Sequence, residues 1–154
     1  MKYYYLNEWL KISSDRESVK NQYISLLSQL TTVEDMSVEK FEESVAKICE
    51  MGDIIVCVDD QRLVGSGTII YEPKIIHGGK SVGHIEDIVV DEPNRGHQIA
   101  TKIIKKLTES AKINNCYKVI LDCSDDIEKY YERLGFTKKG VQMAIYFKHF
   151  AEPT

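Results

Sequence analysis

The clearest chemical feature of the sequence is a turn of small and polar residues that joins a strand to a helix. The strand is predicted over residues 84–90, the turn over 91–94, and the helix from Arg95. Such a turn leaves several backbone N–H groups unpaired at a helix start, where the helix dipole favours negative charge. Gly96 and Ala100 have no large side chain to keep a ligand away. The pattern predicts a phosphate or pyrophosphate site; the alternative is an ordinary strand–turn–helix connection.

Acidic residues on two predicted strands are the candidates for proton transfer. Glu86 and Asp87 are adjacent in an otherwise apolar strand, and neighbours on a strand point to opposite faces. At least one carboxylate should therefore meet the core or a cleft, where a general base contributes ~10²–10⁴-fold to a rate. Asp122 stands alone in the strand predicted over residues 116–123. The alternatives are an exposed acid beside one that pairs with a lysine, and an Asp122 that caps the next helix.

Hydrophobic periodicity predicts an α/β (α+β) fold. Short apolar runs predict strands, and apolar residues three and four apart predict helices. The predicted strands cover residues 3–6, 53–58, 63–71, 84–90, 116–123 and 141–147. The predicted helices cover residues 15–29, the segment between the N-cap Ser37 and Gly52, residues 95–114, and residues 125–134 before Gly135. This order predicts a mixed central β-sheet flanked by helices on both faces.

Composition restricts the class of protein. A chain of 154 residues that is 43% hydrophobic and 29% charged predicts a single globular domain over residues 1–154. A net charge of −4 argues against nucleic acid as a partner, and no apolar run is long enough to span a membrane. Four cysteines without Cys-x-x-Cys spacing, three of them in apolar surroundings, predict buried free thiols and a cytoplasmic protein. The histidines show no metal-ligand spacing, which predicts no metal.

The turn resembles the acyl-CoA pyrophosphate loop of the GNAT N-acetyltransferase superfamily, Arg/Gln-x-x-Gly-x-Gly/Ala. Arg95 and Ala100 match its ends, while Gln98 replaces the central glycine. Further along, YYERLGF resembles the Phe-Tyr-x-x-x-Gly-Phe signature of these enzymes. Within the superfamily, five segments between residues 30 and 143 resemble the glucosamine 6-phosphate N-acetyltransferases. They are, in order, LTTV, KIIH, GHIEDIVV, NCYKVILDC and YYERLGFTKKGVQM.

This resemblance implies that acetyl-CoA donates its acetyl group to the 2-amino group of glucosamine 6-phosphate. The family does so by direct attack in a ternary complex, in UDP-N-acetylglucosamine biosynthesis. The resemblance also implies a homodimer in which the C-terminal strand contributes to the partner's site. Two alternatives stay open: a GNAT enzyme for a different small amine or a protein N-terminus, and a non-catalytic acyl-CoA-binding sensor.

The resemblance also implies individual roles. Glu86 is the first candidate for the base, Asp122 the second acid, and Tyr131 the proton donor to the thiolate, while Tyr130 is expected in the core. Ile88 is expected to offer its backbone N–H to the oxyanion at a bulge of the strand. The implied acyl-CoA contacts are Ile88, Val90, Arg95, Gly96, His97, Gln98, Ile99, Ala100, Thr101, Tyr131, Glu132 and Arg133. The implied sugar-phosphate contacts are Thr31, Lys74, Ile75, Ile76, His77, Glu86, Asp87, Ile88, Tyr117, Lys118 and Asp122.

Two positions depart from the family pattern. Tyr146 stands where the last strand usually has an arginine for the phosphate, and Ile127 stands where an asparagine usually precedes the signature tyrosine. Lys148 shares a strand face with Tyr146, because residues two apart on a strand point the same way. We therefore expect phosphate recognition to rest mainly on Lys74 and Lys118, assisted by Tyr146 and Lys148.

Overall fold

The computed structural model of the protein describes residues 1–147, and the chain forms two compact units, Met1–Leu121 and Asp122–Thr154. The first unit contains β1 (Lys2–Tyr5), α1 (Leu6–Ile12), α2 (Arg16–Leu27), α3 (Val38–Met51), β2 (Gly52–Asp59), β3 (Arg62–Pro73), α4 (Ile76–Gly79), β4 (Ser81–Val90), a 3-10 turn (Glu92–Asn94), α5 (Ile99–Ile113) and β5 (Cys116–Ile120). The second unit contains a 3-10 turn (Asp125–Ile127) and α6 (Glu128–Arg133). The single domain expected over residues 1–154 stays a prediction.

One five-stranded sheet, in the order β1-β2-β3-β4-β5, forms the centre of the first unit. The first three strand pairs are antiparallel, and β4 pairs with β5 in parallel. A parallel pair needs a long crossover connection, which α5 provides. The sheet is therefore mixed, as predicted.

Helices cover both faces of this sheet because its strands are apolar on both sides. On one face, α1, α2 and α3 bury Trp9, Tyr23 and Phe41 in one cluster with Ile54 and Val56 of β2. On the other face, α5 packs against β2, β3, β4 and β5. Its buried residues are Ile99, Ile103, Ile104, Leu107, Ser110 and Ala111. The predicted fold class is confirmed.

The start of α5 differs from the prediction. The helix begins at Ile99 rather than Arg95. Gly96 and Gln98 have φ angles of 84° and 58°, and such left-handed backbone cannot continue into a right-handed helix. Residues 95–98 therefore form a turn and a bend between the 3-10 turn and α5.

Other boundaries differ for local reasons. Short helices α1 and α4 were not predicted, because seven and four residues give too little periodicity to recognise. β5 ends at Ile120, so Asp122 and Cys123 lie beyond the strand.

The four cysteines are unpaired as predicted, but only Cys57 is buried. Cys49 and Cys116 are half-buried and Cys123 is exposed, so full burial of a thiol is confirmed for Cys57 alone among the four. No helix within residues 1–147 is long and apolar enough to span a membrane.

The second unit lacks the predicted last strand. Residues 141–147 form no regular element, and Val141, Met143, Ile145 and Phe147 are exposed. Their alternation is typical of a strand, but a strand persists only when its backbone groups pair with a neighbour. Within residues 1–147 no such neighbour is present. The helix end at Gly135, with its φ of 94°, is as predicted.

Candidate active site

β4 contains the expected bulge. In the register with β3, Asp87 and Ile88 together stand opposite Gly67 alone. Asp87 has a φ of 52°, a conformation that aspartate tolerates better than most residues. An extra residue in one strand leaves a backbone group outside the ladder and turns it toward another direction.

The bulge also explains why the two neighbouring acids do not alternate between core and surface. Glu86 and Asp87 are both exposed, so neither carboxylate meets the core, and the alternative that one meets a cleft stays a prediction. The positive φ at Asp87 interrupts the alternation of the strand. Burial raises the pKa of the Tyr23 hydroxyl, and the negative charge of Asp87 raises it further. Asp87 therefore influences the interior through its charge.

The turn after β4 is anchored at its first residue. Asp91 is 8% exposed, and its carboxylate accepts hydrogen bonds from Gln29 Nε2 at 2.7 Å and Arg62 Nη2 at 3.0 Å. The side-chain oxygen of Gln29 accepts the backbone N–H of Glu92 at 3.1 Å. Side chains from outside the turn therefore fix where it begins.

Past this anchor the backbone of the turn is open. Arg95 folds back, and its Nε donates to the carbonyl oxygen of Val90 at 3.2 Å. A Cβ added at Gly96 would meet no atom within 4 Å. From Ile99 onward the first N–H groups of α5 have no intrahelical acceptor, as at any helix start. Open backbone next to a helix N-terminus suits an anion.

Other residues predicted to contact the pyrophosphate are also exposed or half-buried at the start of α5. His97 and Gln98 have exposed side chains, and His97 Nδ1 donates to the carbonyl oxygen of Asn94 at 3.0 Å. Gln98 is the N-cap of α5 without a side-chain capping bond. Ala100 and Thr101 are half-buried in the first turn of the helix. The small side chain of Ala100 leaves this first turn accessible.

A second group of polar residues surrounds Glu72. Lys74 Nζ lies 2.6 Å from one carboxylate oxygen of Glu72, and His84 Nε2 lies 2.6 Å from the other. Hydrogen bonds from Lys74, the larger effect, and from His84 hold the pKa of the Glu72 carboxyl below its usual value. The ring of His84, on β4, therefore already has a partner in Glu72. Glu72 was missed, although it lies only two residues before Lys74.

The predicted sugar-phosphate residues of α4 and β5 lie together. The His77 and Tyr117 rings have centroids 4.2 Å apart, and Lys118 Nζ lies 5.7 Å from the Tyr117 centroid. Ile75 and Ile76, beside His77, are 99% and 60% exposed. The group thus brings a cationic side chain, two aromatic rings and exposed apolar side chains together on the surface.

Thr31, another predicted sugar-phosphate residue, comes much earlier in the chain. It follows α2, is exposed, and its N–H donates to the carbonyl oxygen of Leu27 at 3.3 Å. No described contact joins it to His77 or Tyr117. Its predicted role stays a prediction.

In the second unit, the buried tyrosine is not the one predicted. Tyr131 is buried and Tyr130 half-buried, so the prediction that Tyr130 is the core tyrosine is wrong. The chain turns back after Gly135 and sets Phe136 edge-on to Tyr131, at a centroid distance of 5.8 Å. Burial raises the pKa of Tyr131 to about 12, so its hydroxyl is protonated at neutral pH. Glu132 and Arg133 are exposed.

The other predicted residues of this unit are on the surface. Asp122 is exposed and accepts a hydrogen bond from Gln142 Nε2 at 3.0 Å. It does not cap the following 3-10 turn, whose N-cap is Ser124. Ile127 and Tyr146 are 41% and 50% exposed. Residues 141–147 are not a strand, so the shared strand face has no support, and Lys148 lies outside the described residues.

Metal coordination has no candidate within the described part of the chain. No three His, Cys, Asp or Glu side chains of residues 1–147 are grouped so as to hold an ion.

Comparison with known protein families identifies the family of the chain. The model of the acetyltransferase (GNAT) family matches residues 22–136, well over half of the chain. The chain belongs to this family. Members of the GNAT family use acetyl-CoA, whose pyrophosphate is the kind of anion that an open helix N-terminus suits.

Relatives narrow the resemblance. The probable glucosamine 6-phosphate N-acetyltransferase 2 of Oryza sativa subsp. japonica is 41% identical over 132 residues, covering 81% of this chain and 80% of that protein. The glucosamine 6-phosphate N-acetyltransferase of Arabidopsis thaliana is 36% identical over 143 residues, covering 90% and 93%. A crystal structure of the Arabidopsis thaliana enzyme superposes with a TM-score of 0.82 at 29% identity, covering 96% of this chain and all of that one (100%). The predicted resemblance is confirmed.

Three residues of the candidate site escaped prediction: Gln29, Arg62 and Glu72. Gln29 and Arg62 contact Asp91 from positions 62 and 29 residues away in sequence, which no local pattern reveals. An acid at the end of an apolar strand, Asp91, was the one available signal.

Proposed function

We propose that the protein transfers the acetyl group of acetyl-CoA to the 2-amino group of glucosamine 6-phosphate, in UDP-N-acetylglucosamine biosynthesis. The products are N-acetylglucosamine 6-phosphate and CoA. The observation that carries the proposal is the alignment of relatives named for this activity over 81% and 90% of the chain. The group formed by His77, Tyr117 and Lys118 supports it, because a phosphorylated sugar needs cationic and polar partners.

The reaction is acyl transfer in a ternary complex. The unprotonated amine attacks the thioester carbonyl carbon, the carbonyl oxygen becomes an oxyanion, and the C–S bond then breaks. The backbone N–H of Ile88, at the bulge, would stabilise the oxyanion. Tyr131 would protonate the leaving thiolate, and its raised pKa keeps that proton available up to alkaline pH.

The amine must lose a proton, and two acids are candidates for the base. Glu86 precedes the bulge and is our first choice, acting directly or through water. Asp122 would hold and help deprotonate the amine, and Asp87 would line the sugar site.

Acetyl-CoA is bound as a co-substrate, and its contacts follow from the open backbone. Ile88 and Val90 would offer backbone groups to the pantetheine arm. The pyrophosphate would lie on the turn and the first turn of α5, formed by Arg95, Gly96, His97, Gln98, Ile99, Ala100 and Thr101. Glu132 and Arg133 would contact the cofactor further out. Protein groups suffice for every step, so we propose no metal.

The sugar phosphate would be held by side chains. Lys74 and Lys118 would supply positive charge, with His77, Tyr117 and Thr31 as hydrogen-bonding groups and Ile75 and Ile76 as apolar contacts. Lys74 pairs with Glu72, so the phosphate has to compete for its ammonium group. Tyr146 would donate one hydrogen bond in place of the usual arginine.

We also propose a cytoplasmic homodimer. Val141, Met143, Ile145 and Phe147 alternate along the chain and are exposed, as a strand would be before it pairs with a second copy. The unpaired cysteines agree with a reducing compartment. Size-exclusion chromatography with light scattering tests the dimer, and a monomer at assay concentrations would contradict it.

A CoA-release assay tests the proposed function. Glucosamine 6-phosphate should be acetylated much faster than glucosamine, an amino acid, a polyamine or a peptide N-terminus. A different best amine would favour the first alternative, and no CoA release with any amine would favour the sensor. Glu86→Gln, Asp122→Asn and Tyr131→Phe should each lower kcat with little change in acetyl-CoA affinity. Wild-type kcat in all three variants across pH would contradict the acid–base roles.

A further inference from the structure

Gly67 occupies the position of β3 that faces the bulge. Asp87 and Ile88 both stand opposite it. A Cβ added at Gly67 would lie 2.5 Å from Cδ1 of Ile88 and 2.6 Å from Cγ2 of Ile103. Carbon atoms in favourable contact are about 3.5–4.0 Å apart, so a side chain at position 67 would require the Ile88 and Ile103 side chains to move. The side chain of Ile88 therefore lies in space that exists only because residue 67 is glycine.

Hydrogen bonds on the other face hold β3 in place at this point. Ser66 and Thr68 flank Gly67, and residues two apart on a strand share a face, opposite to that of the residue between them. Ser66 Oγ donates to the hydroxyl oxygen of Tyr23 at 3.2 Å, and Thr68 also hydrogen-bonds to this hydroxyl. All three side chains are buried. A shift of β3 would leave buried hydroxyls unpaired, so the strand resists displacement.

We propose that Gly67 is a positioning residue for acyl transfer, because the hole it leaves for the Ile88 side chain fixes the bulge and the direction of the Ile88 backbone N–H. The inference rests on the proposed function, in which that N–H stabilises the oxyanion. Gly67 touches no substrate and acts only through Ile88. A methyl group at position 67 would meet the Ile88 side chain on β4 and the Ile103 side chain on α5. The bonds of Ser66 and Thr68 oppose a shift of β3, so we expect the Ile88 side chain to leave its place and the bulge to turn the N–H with it. Hydrogen bonds weaken steeply with angle, and an oxyanion donor must be aimed in advance.

Gly65 provides a matched control on the same strand and the same face. A Cβ added there would lie 2.7 Å from Cγ2 of Ile99 and 3.2 Å from Cδ1 of Ile103, so Gly65→Ala also presses on α5. Gly65 pairs with Val90 in the ordinary register, outside the bulge. Any effect that Gly67→Ala has and Gly65→Ala lacks therefore comes from the bulge.

The test compares kcat at saturating acetyl-CoA and glucosamine 6-phosphate. Gly67→Ala should lower kcat about 10–100-fold, the range for a misaimed donor, with a much smaller change in KM for acetyl-CoA. Gly65→Ala should keep kcat near the wild-type value. Adding Ile88→Val to Gly67→Ala removes the Cδ1 atom that meets the new methyl group and should restore most of the lost kcat. Equal kcat losses in Gly65→Ala and Gly67→Ala, or wild-type kcat in Gly67→Ala, would overturn the inference.

A second readout needs no substrate. In protein labelled with isotopic isoleucine, the Ile88 amide resonance is the one that disappears in Ile88→Val. It should shift in Gly67→Ala and stay in place in Gly65→Ala. If glucosamine 6-phosphate is not acetylated, the proposed function fails, yet this resonance still decides whether Gly67 sets the amide. Should Gly67→Ala not fold, Tyr23→Phe releases Ser66 and Thr68 and should move the same resonance; a resonance that stays in place contradicts the inference.

Discussion

The turn at Asp91–Ile99 and the segment from Glu72 to Lys80 both suit phosphate, but they are built differently. In the first, side chains of Gln29 and Arg62 fix the entry, and the open surface beyond is backbone. In the second, the cationic groups are side chains, and Lys74 already pairs with Glu72. A backbone site depends on steric access, whereas a side-chain site depends on charge and pH.

The largest expected effect follows from steric access to the turn. Gly96→Val should raise the dissociation constant of acetyl-CoA about 10–100-fold, because lost hydrogen bonds to a charged group are worth about 1.5–3 kcal/mol. The new side chain meets no protein atom within the first 4 Å, so the folded protein should persist despite the strain of a φ of 84°. Titration of acetyl-CoA into the purified variant measures the change.

Gly79→Val is the control for backbone strain. Gly79 has a φ of 76°, close to that of Gly96, but it lies in the side-chain site. Both variants should lose similar stability in thermal unfolding, while only Gly96→Val weakens acetyl-CoA. Equal affinities for acetyl-CoA in the two variants would remove the turn from the binding site.

The next effect tests the side-chain site. Lys74→Ala should raise KM for glucosamine 6-phosphate about tenfold and leave KM for unphosphorylated glucosamine nearly unchanged, because a charge-assisted hydrogen bond is lost. Lys105→Ala, on the outer face of α5, removes an equal charge away from the site and should change neither value. An equal rise in both KM values for Lys74→Ala would show that Lys74 does not contact the phosphate.

The contrast also explains what the sequence could predict. The open turn at Gly96 was predictable because turn chemistry is local, and so was the strand that carries Glu86. The helix start was misplaced because the left-handed φ of Gln98 leaves no mark in residue type. The pairing of Lys74 with Glu72 and the anchoring of Asp91 depend on rotamers and on distant contacts. Residues 141–147 show a strand pattern, but pairing requires a neighbour that a pattern cannot name.

The smallest expected effect concerns Glu72 and pH. Lys74 and His84 hold the pKa of Glu72 below the value it has in the unfolded chain, about 4.3. Its ion pairs therefore stabilise the fold above that pH, and the stabilisation is lost as pH falls through the lower pKa of the folded state. Glu72→Gln should lower Tm slightly at pH 7 and by a smaller amount near pH 3, and by freeing Lys74 it should also lower KM for glucosamine 6-phosphate. The Tm loss of Gly96→Val comes from backbone strain and should be the same at both pH values. The Tm difference between the wild type and Glu72→Gln should therefore shrink on acidification. If it does not, the ion pairs of Glu72 do not stabilise the protein, and the proposed contrast between a charge-dependent site and a backbone site fails.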